Sequence, residues 1–205
     1  MPEIQQYWKD VVQPSEMNFW YNWRDPGNFM AAAAEIFSRF GIEPWQYAGR
    51  IVLDVGSGPK LQSRYFEHAN IVIIEPMLND YLFCPECNYG FDITAAPLPA
   101  EEFIPVLEGI VDFAMSFNSL DHCYDPLLYM TNIHRYLKKG ANMVLSVDHR
   151  VSTDYQHLFA FTPQTIGEII EKAGFIVRSE GTGVPIYGRA WWGSGVAHHY
   201  LLEAV

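Results

Sequence analysis

Two carboxylates and one histidine in this chain of 205 residues stand close to where apolar runs stop, the positions from which side chains reach a ligand. Asp54 belongs to Arg50–Pro59, R-I-V-L-D-V-G-S-G-P, in which the β-branched run of Ile51, Val52 and Val55 breaks into Gly56-Ser57-Gly58-Pro59. That pattern predicts a buried parallel strand ending in a tight turn before a helix. Glycines lack a Cβ, so the turn closes sharply and a ligand can lie directly on the loop beside backbone N–H groups. A carboxylate held just before the turn faces the same ligand and suits one that carries a cation. Glu75 ends a second run, Ile71-Val72-Ile73-Ile74, about twenty residues beyond the glycines, the spacing at which a second strand's acid meets a ribose. His122 follows a third run, and an imidazole titrates near neutrality, where it could take a proton from an acceptor hydroxyl.

The spacing narrows the ligand. A dinucleotide fingerprint wants a third glycine three residues after the second, where this chain has Leu61. A P-loop wants Gly-Lys-Ser/Thr after four intervening residues, and Ser63-Arg64 does not supply it. The remaining pattern of acid, small residue and Gly-x-Gly resembles motif I of the class I S-adenosylmethionine-dependent methyltransferases. The resemblance implies that Gly56, Ser57 and Gly58 wrap the methionine part of the cofactor, with Asp54 near its ammonium group. Downstream, V-D-F-A-M-S-F leads into Asn118-Ser119-Leu120-Asp121-His122-Cys123 and an Asp125-Pro126 turn. The segment S-F-N-S-L-D-H is similar to motif IV of the small-molecule members, which adds Phe117 and Asn118 to the cofactor-binding set. An acid in the third-strand region contacts the adenine amine in that family, which makes Asp92 of Phe91-Asp92-Ile93-Thr94 a candidate. His157-Leu158-Phe159, the Thr162-Pro163 helix start and Ala173-Gly174-Phe175 resemble a pattern of many sugar and small-metabolite methyltransferases. Lys60 departs from the small residue often found after Gly-x-Gly-Pro.

The implied reaction is methyl transfer from S-adenosyl-L-methionine to an oxygen or nitrogen of a small molecule, a sugar among the options. His122 is the leading base candidate. Asp148 and His149, at the end of the fifth strand, are the runners-up. The alternative reading is a cofactor-binding or regulatory protein of the same fold that methylates nothing.

These residues need a scaffold, and the rest of the chain supplies its pattern. Gln5–Arg24 is dense in rings, with Tyr7, Trp8, Phe19, Trp20, Tyr21 and Trp23, so residues 1–24 read as an arm pinned to the core or a lid over the cleft. Pro26 to Phe40 reads as a helix capped by Asp25 and stopped by Gly41. Leu61 to His68 suits a short helix, and the third and fourth strands fall at Phe91–Thr94 and Gly109–Phe117. Asp125 to Lys139 suits a helix with Leu127, Leu128, Met130, Ile133 and Leu137 on one face and Gly140 as its stop. Ala141–Val147 is the fifth strand, Pro163–Lys172 a helix, and Phe175–Ser179 and Val196–Leu202 the last strands. Trp191 and Trp192 lie between those two strands, where they could wall an acceptor pocket or fold onto the sheet. Alternating strands and helices predict an α/β domain spanning residues 1–205. The resemblance makes it Rossmann-like, with a seven-stranded, mostly parallel sheet, an antiparallel last strand and helices on both faces.

Composition removes other classes. A formal charge of −11 with scattered Lys and Arg argues against nucleic acid as the partner, since phosphate backbones need a concentrated basic face. No apolar run approaches a membrane span, and the N-terminus lacks the basic-then-apolar pattern of a signal peptide. Three cysteines fit a reducing cytoplasm better than a disulfide framework. Cys84-Pro85-Glu86-Cys87 has the spacing of half a tetrahedral zinc site, but with no second pair no metal is expected. A homodimer is compatible with this reading.

Overall fold

The computed structural model describes residues 2–22, 29–85, 87–90, 93–150, 152–183 and 197–205. Among these the helices are α1 (Pro2–Tyr7), α2 (Gln13–Asn22), α3 (Phe29–Arg39), α4 (Leu78–Tyr81), α5 (Pro126–Tyr136) and α6 (Pro163–Lys172). The strands are β1 (Ile51–Val55), β2 (Asn70–Ile74), β3 (Thr94–Ala96), β4 (Val111–Phe117), β5 (Leu137–Asp148), β6 (Phe175–Thr182) and β7 (Ala197–Ala204). They form one seven-stranded sheet in the order β3-β2-β1-β4-β5-β7-β6. All pairings are parallel except those of β7, which runs antiparallel between β5 and β6.

Strand β1 lies inside the sheet between β2 and β4, and four of its five residues are buried, which is why its sequence reads as an unbroken apolar run around a single acid. Side chains alternate between the two faces of the sheet. Leu53 and Val55 join Ala114 and the α5 and α6 residues Met130, Ile133, Ile166 and Ile170 on one face. Val52, Phe113, Met115 and Phe117 join Phe29, Ala33, Ile36 and Phe37 of α3 on the other. The strand order reverses between β1 and β4. In an open α/β sheet a crevice opens at such a switch point, beyond the carboxyl ends of the two strands.

Local chemistry sets the helix starts. Asp125 accepts the Leu128 backbone N–H at 3.0 Å and Pro126 opens α5, while Thr162 and Thr165 exchange hydrogen bonds in a capping box that starts α6.

Several boundaries differ from those the sequence predicts. The helix expected to reach Lys139 ends at Tyr136, because Leu137 pairs with Val111 and begins β5. Gly140 therefore lies at an irregular stretch of the β4–β5 ladder with φ +77° and does not cap a helix. Leu127 and Leu128 of α5 are exposed, and the buried face is Tyr129, Met130, Ile133 and Tyr136. The expected helix after the glycines is one 3-10 turn, Gln62–Tyr65, and β3 starts at Thr94, later than the sequence predicts. Asp25, Pro26, Asp92, Trp191 and Trp192 lie outside the described residues. No helix among the described residues is long and apolar enough to cross a membrane.

Candidate functional site

A cleft opens at the switch point, where open α/β sheets bind their ligands. Its floor is the chain leaving β1, Val55-Gly56-Ser57-Gly58, and the chain leaving β4, Phe117-Asn118-Ser119. Gly56 and Gly58 have φ of +68° and +56°, in the left-handed region that favours glycine. A Cβ at Gly56 would overlap the side chain of Ser119, so the two strand ends approach closely only because that position is bare. Asn118 also has a positive φ, +51°, a conformation that concentrates at ligand sites when held by its surroundings. Its N–H donates to the Ser146 carbonyl at 2.9 Å. Beneath the floor, the hydroxyls of Ser116, Ser119 and Tyr129 lie within 2.9 Å of one another, and Ser119 donates to the Val55 carbonyl. This cluster ties β1, β4 and α5 together.

Glu75 borders the cleft at the end of β2. Its carboxylate accepts from the backbone N–H groups of Gly58 and Met77, each at 3.0 Å, so it both braces the glycine loop and presents its remaining lone pairs to a ligand. Burial pushes its pKa up to about 7, against the effect of those two donors. Ser57 and Tyr89 clasp the loop from outside, with Tyr89 donating to the Gly58 carbonyl at 2.5 Å.

The structure places Asp54 differently from the expectation of a ligand-facing acid. It alternates with Val55, so its carboxylate points to the α3 face, is buried and accepts the Ser63 N–H at 3.3 Å. It does not line the cleft and instead ties β1 to the turn that follows the glycine loop. Burial raises its pKa to about 6.

The N-terminal helices form the opposite wall. Trp8, Val12, Gln13, Glu16 and Trp20 line the cleft, and a Cβ at Gly58 would stand 3.6 Å from the Trp20 indole. Trp20 donates to Glu16 at 2.7 Å, and Trp8 donates to the His122 carbonyl at 2.6 Å. The two anchoring tryptophans are buried, so the described part of the aromatic segment, residues 5–22, packs on the core and borders the cleft. Sequence reading found its rings but passed over Glu16 and Gln13. Glu101 and Tyr129 were also missed. Glu101 lines the cleft while accepting the Tyr124 and Asp125 N–H groups, and only the α5 spacing of Tyr129, Met130, Ile133 and Tyr136 hinted at the tyrosine.

Of the three base candidates only His122 lines the cleft. Its own burial opposes the imidazolium, but the carboxylates of Asp121 and Glu16 outweigh it and raise the pKa. Its Nδ1 stands 3.9 Å from Glu16. Asp148 and His149 do not line the cleft. Asp148 lies 3.9 Å from Arg150, and His149 stacks flat on His198 with ring centroids 3.3 Å apart and bonds Tyr200 at 2.9 Å. Burial, and then His198, push the His149 pKa down to about 4, so it is neutral at physiological pH.

The residues match the group that the sequence resemblance implies: bare left-handed glycines in the floor, an acceptor carboxylate beside them and an apolar wall of indoles. Comparisons with known proteins agree. A family model described as "Methyltransferase domain" matches residues 28–180. A curated relative from Mycobacterium sp. (strain KMS), described as an uncharacterized methyltransferase, is 29% identical over 136 residues, which cover 62% of this chain and 53% of that protein. The chain thus spans about half the length of the curated relatives it matches. The crystal structure of Burkholderia thailandensis 1,6-didemethyltoxoflavin-N1-methyltransferase, with bound 1,6-didemethyltoxoflavin and S-adenosylhomocysteine, is similar with a TM-score of 0.63 and 19% identity, covering 87% of this chain and 80% of that one. The cyclase SpnF is similar with a TM-score of 0.67 and 13% identity, covering 85% of this chain and 80% of its own. With three quarters of its length matched by the family model and the glycine loop and cleft in the family's positions, this chain belongs to the class I S-adenosylmethionine-dependent methyltransferases.

Proposed function

We propose that this chain transfers a methyl group from S-adenosylmethionine to an oxygen or nitrogen of a small acceptor. The observation that carries the reading is the single cleft shared by the Gly56–Gly58 loop, Glu75 and the N-terminal wall, since donor and acceptor can meet there away from bulk water. The cofactor supplies a methyl group on a sulfonium, which departs as a neutral thioether when an acceptor lone pair takes the carbon. The protein's work is chiefly positional. Holding two reactants in line replaces a bimolecular encounter with an effectively unimolecular step, for which about 7–11 kcal/mol is available in well-oriented systems.

In this reading Glu75 takes the ribose hydroxyls as acceptor, and the glycine loop carries the methionine part. Ser57, Phe117 and Asn118 line the same region. The indoles of Trp8 and Trp20 exclude water, and His122 faces the acceptor, whose proton must leave once the new bond forms. Because the wall is largely apolar with few convergent polar groups, a small metabolite fits better than a polymer, and a sugar is one such acceptor.

The experiment is turnover of the purified chain with labelled S-adenosylmethionine against an acceptor panel of amines, phenols, carboxylates and sugars, alongside S-adenosylhomocysteine and NAD binding by calorimetry. Micromolar S-adenosylhomocysteine binding without NAD binding supports the site, and acceptor-dependent label transfer supports the activity. The similarity to SpnF, named for a cyclisation, favours one second reading, a protein of this fold that does not methylate. Cofactor binding with no transfer to any acceptor in the panel would favour it.

A further inference from the structure

We propose that Asp121, His122 and His157 form a binding site for a divalent transition-metal ion beside the cleft. One ligand atom from each residue lies within 4.8 Å of the other two. Two imidazoles and one carboxylate are a donor set that suits zinc, cobalt, nickel or ferrous iron, whereas magnesium and calcium prefer all-oxygen sites. Atoms bound at about 2.1 Å around a tetrahedral ion stand about 3.4 Å apart, so side-chain shifts of about an ångström would gather these three.

Independent of that spacing, Asp121 itself needs a cation. Its side chain is 0% exposed, and neither carboxylate oxygen has a hydrogen-bond partner. The nearest nitrogens, Arg150 Nε at 3.7 Å and His157 Nε2 at 3.8 Å, are both too far for a hydrogen bond, and of the two only the guanidinium carries a charge. A buried carboxylate is ordinarily paired, hydrogen-bonded or bound to metal. Nδ1 of His122 is likewise buried without a hydrogen bond.

The surroundings have the form of a metal site's supporting shell. His157 Nδ1 stands 2.7 Å and 2.8 Å from the two oxygens of Asp154. Donation of Nδ1–H to that carboxylate leaves the Nε2 lone pair directed at Asp121, the carboxylate–histidine relay that orients metal-ligating imidazoles. Arg150 is the competing cation. It also reaches Asp154 at 3.4 Å and Asp148 at 3.9 Å, so it can release Asp121 to an ion and keep acidic partners. Three protein ligands leave coordination positions open to water or another donor, and His122 connects the site to the cleft. Sequence reading looked for metal at Cys84 and Cys87 and passed over this cluster, because its members come from two loops 35 residues apart.

The test is titration of the full chain, first stripped with a chelator, with Co²⁺ followed by visible absorption, and with Zn²⁺ by equilibrium dialysis. None of these readouts needs the transfer reaction. One equivalent of saturable binding is expected, with visible bands of nitrogen and oxygen coordination and no thiolate charge-transfer band. His157→Gln should weaken binding at least tenfold. Asp154 is half exposed and touches no ion in this scheme, so Asp154→Asn should fold and still weaken binding about 10–100-fold, the range for lost supporting carboxylates. Circular dichroism establishes that each variant is folded. The proposal is overturned by three results: no saturable binding to the wild type, wild-type affinity in folded His157→Gln, or loss of binding in Cys84→Ser.

Discussion

If Glu75 takes the ribose as proposed, cofactor binding is pH-dependent in a direction that can be worked out. With no ligand bound its pKa is about 7 because the carboxylate is buried. Ribose hydroxyls donate hydrogen bonds, so they favour the ionised carboxylate, and binding must drive a proton off whenever Glu75 starts protonated. Apparent affinity then scales with the ionised fraction, about one in eleven at pH 6 and about ten in eleven at pH 8, given a pKa of about 7. The expected change is about tenfold, or about 1.4 kcal/mol, tighter at pH 8. Calorimetry with S-adenosylhomocysteine in two buffers of different ionisation enthalpy should read about half a proton released at pH 7 and close to none at pH 8. Glu75→Gln supplies the control. An amide can accept from only one of the Gly58 and Met77 N–H groups that the carboxylate serves together, and it cannot titrate. It should bind more weakly by about 1.5–3 kcal/mol, the range for hydrogen bonds to a charged group, and lose the buffer-dependent heat. Any proton taken or given by the ligand's own amine appears equally in both proteins and cancels. Affinity flat within about twofold from pH 6 to 8, or identical proton release in Glu75→Gln, would refute the assignment of this residue to the ribose.

Gly56→Val should abolish S-adenosylhomocysteine binding in calorimetry, because φ is +68° and the added carbons overlap Ser119; surviving affinity would mean that the loop is not the cofactor's floor. In chelator-stripped protein, where no ion competes for the imidazole, His122→Ala should lower turnover about 10²–10⁴-fold with S-adenosylhomocysteine affinity nearly intact, whereas His149→Ala, stacked on His198 away from the cleft, should leave turnover within about twofold. Trp20→Ala removes the indole over Gly58 and should weaken the cofactor by about 1–3 kcal/mol, consistent with burial of a large aromatic, and raise quenching of any bound fluorescent analogue by iodide. Asp54 has a folded-state pKa raised from 3.8 to about 6, so its stabilising share is complete below about pH 4 and is lost as pH rises through 6. Compared with Asp54→Asn in urea melts, the wild type should therefore lose up to about 3 kcal/mol of relative stability between pH 4 and pH 8.

Much of this architecture is local information, and it could be read directly. β1 and β2 are short apolar runs because a central parallel strand is covered on both faces, and the positive φ of Gly56 and Gly58 follows from a turn that needs bare residues. Thr162-Pro163 and Asp125-Pro126 mark helix starts for reasons confined to one turn of chain. Strand-end reasoning put Glu75 and His122 at the sheet's carboxyl edge, where both line the cleft, but it put Asp148 and His149 there too, and they do not.

What the sequence by itself could not decide is where side chains point once strands pack. Asp54 and Val55 are neighbours in the chain, yet the period-2 pleat sends one to Ser63 and the other to the cleft. The end of α5 at Tyr136 depended on Val111, a strand partner 26 residues away in sequence, outweighing the helical preference of Leu137–Lys139. Glu16, Trp8 and Trp20 became cleft residues through hydrogen bonds and packing across the fold, the longest joining residues 114 apart in sequence. The convergence of Asp121 and His157 likewise exists only because two loops leave the same sheet edge. Local pattern thus determined the strands, the turns and the family, while the sheet's pleat and the order of its strands decided which polar groups face one another.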